Sequence, residues 1–216
     1  MSEIPLCTLT KHVSLQKVDL YKDPHGSPVL QITTQPVPSM NIFFLSFNTT
    51  KAAQQHADKH VVKMILESAQ LLWTAQFIAY AAQNMLPPLE TAPMNKQKTQ
   101  RGYRPTHRNH PCAKWVRETL ANYRWLCSLA TELIAEYHFR YPLSPPHSCE
   151  EHIAWLTANP PPLPDTQLTW PALAMPDEYK ISKNPTACYR AFYKGSKQAR
   201  GITQYTRRPA PIWLTM

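Results

Sequence analysis

Residues 56–74 read HADKHVVKMILESAQLLWT, and the fold turns on this stretch. At about 100° per residue, His56, His60, Lys63, Glu67, Gln70 and Thr74 fall within an arc of about 80° on a helix. Val61, Val62, Met64, Ile65, Leu66, Ala69, Leu71, Leu72 and Trp73 cover most of the remaining circumference. A surface helix shows the opposite proportion, a limited apolar stripe and a broad polar face. The pattern therefore predicts a largely buried helix with one hydrophilic seam. That seam must face water, a cleft or a partner. A cleft desolvates its side chains and shifts their pKa values, which suits acid–base chemistry. The plainer alternative is the thin exposed edge of a core helix, with Lys63 and Glu67 as an ordinary i, i+4 pair.

Working outward, Met40–Phe47 reads as a short buried strand rich in aromatics. Thr49 or Thr50 is the expected cap of a helix running to about Met85, where Pro87-Pro88 stops it. Residues 87–108 form a basic loop. A second long helix follows, capped by Asn109 or His110 with Pro111 near its start, and ends near Tyr141-Pro142. Its apolar positions run from Trp115 and Val116 through Leu133 and Tyr137, and its polar face carries Lys114, Arg117, Arg124 and Ser128.

Residues 142–176 contain nine Pro, and only Glu150–Ala158 looks helical there. Trp155, Leu168, Trp170 and Leu173 favour a rigid arm packed over the helices rather than a flexible linker. Asn184-Pro185 opens a short helix through Tyr193, and an extended basic and aromatic tail ends the chain. Residues 1–39 read as an extension, with a short hairpin around Asp23-Pro24-His25-Gly26. The expected fold is mainly α: one helical domain, 40–216, around two long packed helices, with one or two short strands and the Pro-rich arm.

The 216 residues carry a net charge of +9. Residues 94–124 hold eight basic residues and one acid; residues 179–216 hold eight basic residues and no acid. Residues 125–178 hold one Arg and seven acids. Such segregation points to a basic surface meeting a polyanion. No run of apolar residues is long enough for a transmembrane helix, the N-terminus lacks signal-peptide character, and five scattered Cys suit reduced thiols. An intracellular protein without membrane attachment is the expectation. Four Gly against 22 Pro exclude a glycine cradle for a nucleotide. No motif requires a cofactor, and helix-turn-helix and zinc-finger patterns are absent.

Three constellations carry candidate chemistry. In the first, Glu67 is flanked by His60 and Lys63, and a carboxylate so placed can act as base or nucleophile. Asp58 points away from this seam and is expected to cap or pair with another element. In the second, Thr106–Cys112 offers His107, His110 and Cys112 as zinc-capable ligands, but a structural zinc site needs four ligands and no second pair lies nearby. His107 and Arg108 at a helix start could instead bind phosphate. In the third, basic and aromatic residues interleave. Arg104, Arg108, Arg117, Arg190, Arg207 and Arg208, with Asn122, are candidate phosphate contacts, and Tyr103, Tyr123 and Tyr193 are candidate stacking rings. These rings could equally anchor loops to the core.

The stretch from Asn41 through HADKHVVKMILESAQLL, then NHPCAKWVRETLANYRWL at 109–126, EYHFRY at 136–141, MPDEYK at 175–180 and ACYRAFY at 187–193 resembles a family of proteins from tailed phages and large DNA viruses. The resemblance covers about residues 40–216; the first 39 depart from it, and Ala57 stands where family members more often have Cys. It implies a setting in viral nucleic-acid metabolism, which includes enzymes that modify DNA bases. The expected function is thus an enzyme acting on nucleic acid, most plausibly on a DNA base, by group transfer or base excision, in host cytoplasm or nucleus. The rivals are a non-catalytic DNA- or RNA-binding protein and a small-molecule enzyme acting on nucleotides or other phosphates.

Overall fold

A computed structural model describes residues 17–22, 28–33 and 40–216. The chain divides into two units, 1–39 and 40–216. In the first, β1 (Lys17–Lys22) and β2 (Pro28–Thr33) pair antiparallel, with Lys17 opposite Thr33 and Lys22 opposite Pro28. The expected turn at Asp23–Gly26 lies outside the described residues.

The second unit is built on helices α1 (Thr49–Gln55), α2 (Asp58–Ala82), α3 (Pro111–Val116), α4 (Leu120–Arg140), α5 (Glu150–Ala158), α6 (Pro185–Phe192) and α7 (Ile212–Thr215). The long α2 and α4 pack together, with α1 and α5 against α4 and α3 against α2. Val61, Met64, Ile65, Leu72 and Trp73 from α2 meet Leu126, Leu129 and Leu133 from α4 in one apolar core. Each such side chain removed from water contributes about 1.5–3 kcal/mol. The mainly helical fold with two long packed helices is therefore as expected, and α5 and α6 match their expected spans. Among the described residues no helix is long and apolar enough to cross a membrane.

The structure corrects several details. The first expected helix is two, α1 and α2, broken at His56-Ala57. The Ala57 N–H donates to the Tyr193 hydroxyl and the Asp58 N–H to the Gln204 carbonyl. The Gln54 carbonyl, which would have accepted in a continuing helix, takes Arg140 Nη2 instead. Asn48, not Thr49 or Thr50, caps α1.

The second expected helix is also two. Thr119 caps α4 by accepting from the Asn122 N–H, and the Leu120 N–H leaves for the Pro164 carbonyl. Met40–Phe47 is not a strand: among the described residues no strand pairs with it. Met40–Leu45 runs buried through the core before the chain surfaces at Phe47, and side chains meet several of its polar groups. Arg190 Nε donates to the Leu45 carbonyl and Trp125 Nε1 to that of Phe47. Finally, the arm is pinned to the helices at Pro164 and Thr169, yet Trp170 stays 70% exposed and Leu168 39%.

A buried charged network locks the α2–α4 crossing. Arg140, fully buried, donates to Asp58 Oδ1 at 2.9 Å, Glu136 Oε1 at 2.8 Å and the Gln54 carbonyl at 3.0 Å. Arg208 adds two bonds to Glu136, and Thr206 caps Asp58 through its N–H and hydroxyl. Asp58 thus pairs with other elements, as its angle on the helix requires.

Candidate functional site

Glu67 lies midway along α2 and is 7% exposed. Its Oε2 accepts the backbone N–H of Asn41 at 3.0 Å, and Lys63 Nζ sits 2.8 Å from Oε1. Asn41 is itself held, through its Nδ2 donating to the Ala174 carbonyl. The carboxylate is therefore fixed from a rigid helix by one backbone donor and one partly exposed amine.

Lys197 joins this group from a single π turn, Tyr193–Lys197, a feature frequent at functional sites. Its Nζ lies 4.7 Å from the centre of the Phe192 ring and 5.5 Å from that of Phe43. Burial lowers its pKa, the charges of Arg200 and Lys63 lower it further, and Glu67 opposes them. His110 caps α3, and burial likewise lowers its imidazole, with His107 adding to the effect and Glu67 opposing it. Glu67 and Lys63 form the contact pair at the centre of the seam. Such a pair can take up a proton, attack an electrophile or hold an anion.

His60 serves differently from the expectation. It is 5% exposed, tilted against Phe43, with Nδ1 2.6 Å from the Tyr193 hydroxyl. That hydroxyl also accepts the Ala57 N–H. Burial, then the charges of His56, Lys197 and Lys63, push the imidazole down to about 3. His60 is neutral at ordinary pH and lends Glu67 no positive charge. His56, outside α2, is fully buried, donates Nδ1–H to the Ala52 carbonyl, and burial takes it down to about 4. Lys63, by contrast, sits where expected.

Several predicted contacts are structural instead. Asn122 is fully buried and ties the Trp115 carbonyl to Thr169, so it holds the arm rather than a phosphate. Arg190 donates to the Leu45 carbonyl and lies over Trp213. Arg208 is consumed by Glu136 and, like Arg207, lies over the Phe139 ring. None of the three tyrosines is a free stacking platform. Tyr123 and Tyr193 are fully buried, Tyr123 donating to the Leu156 carbonyl. Tyr103 stacks on His152 at 4.3 Å. Aromatics interleaved with basic residues here anchor loops to the core, because an indole or phenol ring buries far more apolar area than neighbouring loop residues can.

Arg104, His107 and Arg108 are exposed; Arg104 Nε bonds Gln100 and His107 bonds Thr106. Arg117 is half-buried beside Arg108, and its Nη1 is buried with no hydrogen-bond partner among the described residues. The zinc-capable residues His107, His110 and Cys112 do not converge. His107 and His110 rings are 6.5 Å apart, and His110 Nδ1 accepts the Cys112 N–H. The buried Cys112 thiol, pushed up to about 12 by burial, leans toward Asn41 Oδ1. Among the described residues no three His, Cys, Asp or Glu are grouped to hold a metal.

Asn41 and Lys197 were missed from sequence. Asn41 sat in an apparent strand, and no periodicity announces a π turn. Compared with known proteins, the chain matches no protein-family description, no curated protein and no solved structure.

Proposed function

We propose that the chain is an enzyme acting on nucleic acid, with a DNA base as its substrate and Glu67 as its working carboxylate. The observation that carries the reading is the environment of Glu67: nearly buried and held by the Asn41 N–H and the Lys63 amine. A base must leave the stack to reach such a group. Glu67 then accepts or donates the proton, or attacks carbon, in group transfer to the base or cleavage of its glycosidic bond. Lys63 and Lys197 supply positive charge for a phosphate or a developing anion. The basic blocks at 94–124 and 179–216 and the resemblance to viral DNA proteins support a polyanionic substrate.

A second reading is an enzyme acting on free nucleotides. It is favoured by the engagement of Arg190 and Arg208 inside the fold, which shortens the basic track.

The test is mass spectrometry of nucleosides from DNA, and separately from nucleotide pools, incubated with the protein and a cell extract. A new or missing nucleoside is expected with the native chain. Glu67→Gln should lower turnover by about 10² to 10⁴ while leaving DNA binding unchanged. Full turnover in Glu67→Gln eliminates the assignment, and a change confined to the pools selects the second reading.

A further inference from the structure

A recess of about 430 Å³ opens beside α3, its walls including Lys114, Trp115, Arg117, Glu118 and Trp170. That volume falls in the range of small-molecule sites. Two features distinguish it from an ordinary surface dimple.

The first is an unsatisfied cation. Arg140, a fully buried guanidinium, has Nε, Nη1 and Nη2 all bonded. Arg117 has a buried Nη1 with no partner, and among the described residues Arg108, Lys114 and Arg117 form no ion pair with a carboxylate. Glu118 shares the recess, but its Oε2 accepts the Thr169 hydroxyl. Arg117 thus brings to the wall of the recess a guanidinium that no carboxylate neutralises, and an anionic oxygen is its natural complement.

The second is a rigid exposed aromatic. Trp170 is 70% exposed, yet the residue before it is pinned three ways. The Thr169 N–H donates to Asn122 Oδ1 at 2.9 Å, Asn122 Nδ2 donates to Thr169 Oγ1 at 2.8 Å, and Trp115 Nε1 donates to the Thr169 carbonyl at 3.3 Å. Phe47, itself 42% exposed, meets the indole edge-on at 5.8 Å. An apolar ring held outward on a fixed backbone costs little entropy when another ring stacks on it.

We propose that this recess is a nucleotide subsite, with a phosphate on Arg117 and Lys114 and a base against Trp170. It deepens the proposed function and rests on its nucleic-acid chemistry. The ligand is a phosphorylated base, either a free nucleotide or one unit of a single strand.

The experiment is calorimetric titration of the full chain with thymidine monophosphate, inorganic phosphate and a single-stranded tetradeoxynucleotide. The variants are Trp170→Ala, Arg117→Ala and Glu67→Gln, with thermal melts to establish that each is folded. Trp170→Ala should weaken the nucleotide about tenfold and leave phosphate unchanged. Arg117→Ala should weaken both about tenfold; Arg117→Lys, which keeps the charge, covers the case in which the alanine variant does not fold. Tighter binding of the tetranucleotide than of the monophosphate assigns the site to a strand, and equal binding to a free nucleotide. Native-chain affinity for nucleotide in both Trp170→Ala and Arg117→Ala, or no nucleotide binding by the native chain, overturns the proposal. Retained turnover in Glu67→Gln with these losses intact would remove the carboxylate assignment and leave the subsite standing.

Discussion

Gly102 lies at φ +68° with its α-carbon against the Trp73 indole, where an added Cβ would meet ring carbons at 2.8 Å. Gly201 has a similar φ, +64°, and open space around it. The pair separates backbone strain from collision. Gly201→Ala should cost about 1–2 kcal/mol, the left-handed penalty alone. Gly102→Ala should cost about 2–4 kcal/mol, because overpacking adds to that penalty. Urea titrations of the two variants compare them directly, and equal losses would mean that the indole moves aside. At the same scale His60 illustrates how a functional-looking residue is disarmed. Its position on the seam was legible, but its neutrality comes from burial in the packed core, where its Nδ1 meets Tyr193, 133 residues away in sequence.

Both long helices begin one break later than their apolar periodicity suggests, and in each case a distant group takes the backbone bond. At α2 the takers are Tyr193, Gln204 and Arg140. At α4 they are Thr119 and Pro164. Arg140→Ala should therefore cost about 3–5 kcal/mol, since it leaves the buried Glu136 and the half-buried Asp58 under-paired. A smaller loss in Arg140→Met than in Arg140→Ala would mark the apolar stem as a separate contributor. Asn122→Ala removes the clamp on Thr169 and should cost about 1–3 kcal/mol. It should also open the arm near residue 169 to limited proteolysis; an unchanged digestion pattern would show that Pro164 and the apolar contacts suffice.

Over the whole molecule, acid should destabilise the fold well above the carboxylate range. His56 and His60 are held near 4 and 3 when folded, against 6.5 when unfolded. Between those values the unfolded chain binds more protons, so stability is full above about pH 6.5 and falls as pH drops. By pH 5 each contributes a loss of about 2 kcal/mol, or a combined fall in Tm of about 10 °C. Burial lowers His110, His147 and His152 in the same direction. Glu136 acts at lower pH: burial would raise it, but its bonds from Arg208 and Arg140 prevail and lower it. Its contribution is lost only as pH falls below the ordinary carboxylate value. Melts at pH 7 and pH 5 check this, and a pH-independent Tm over that interval would contradict it. Net charge matters at this scale too. Arg208→Ala with Arg207→Ala should lower Tm before it changes any salt-dependent binding, because Arg208 is already paired with Glu136.

The sequence by itself determined that the protein is mainly helical, which helix is sunk in the core, and that Glu67 and Lys63 share its polar seam. Those follow from a 3.6-residue period and from the cost of burying unpaired polar groups, both local properties. Only the tertiary structure decided that the Asn41 N–H reaches Glu67, that His60 is buried and neutral, that Tyr123 and Tyr193 are core while Tyr103 stacks on His152, and that Arg117 has an unpartnered Nη1 while Arg208 is consumed. Hydrogen bonds and desolvation depend on which groups meet across tens of residues, and no periodicity within a single helix encodes those meetings.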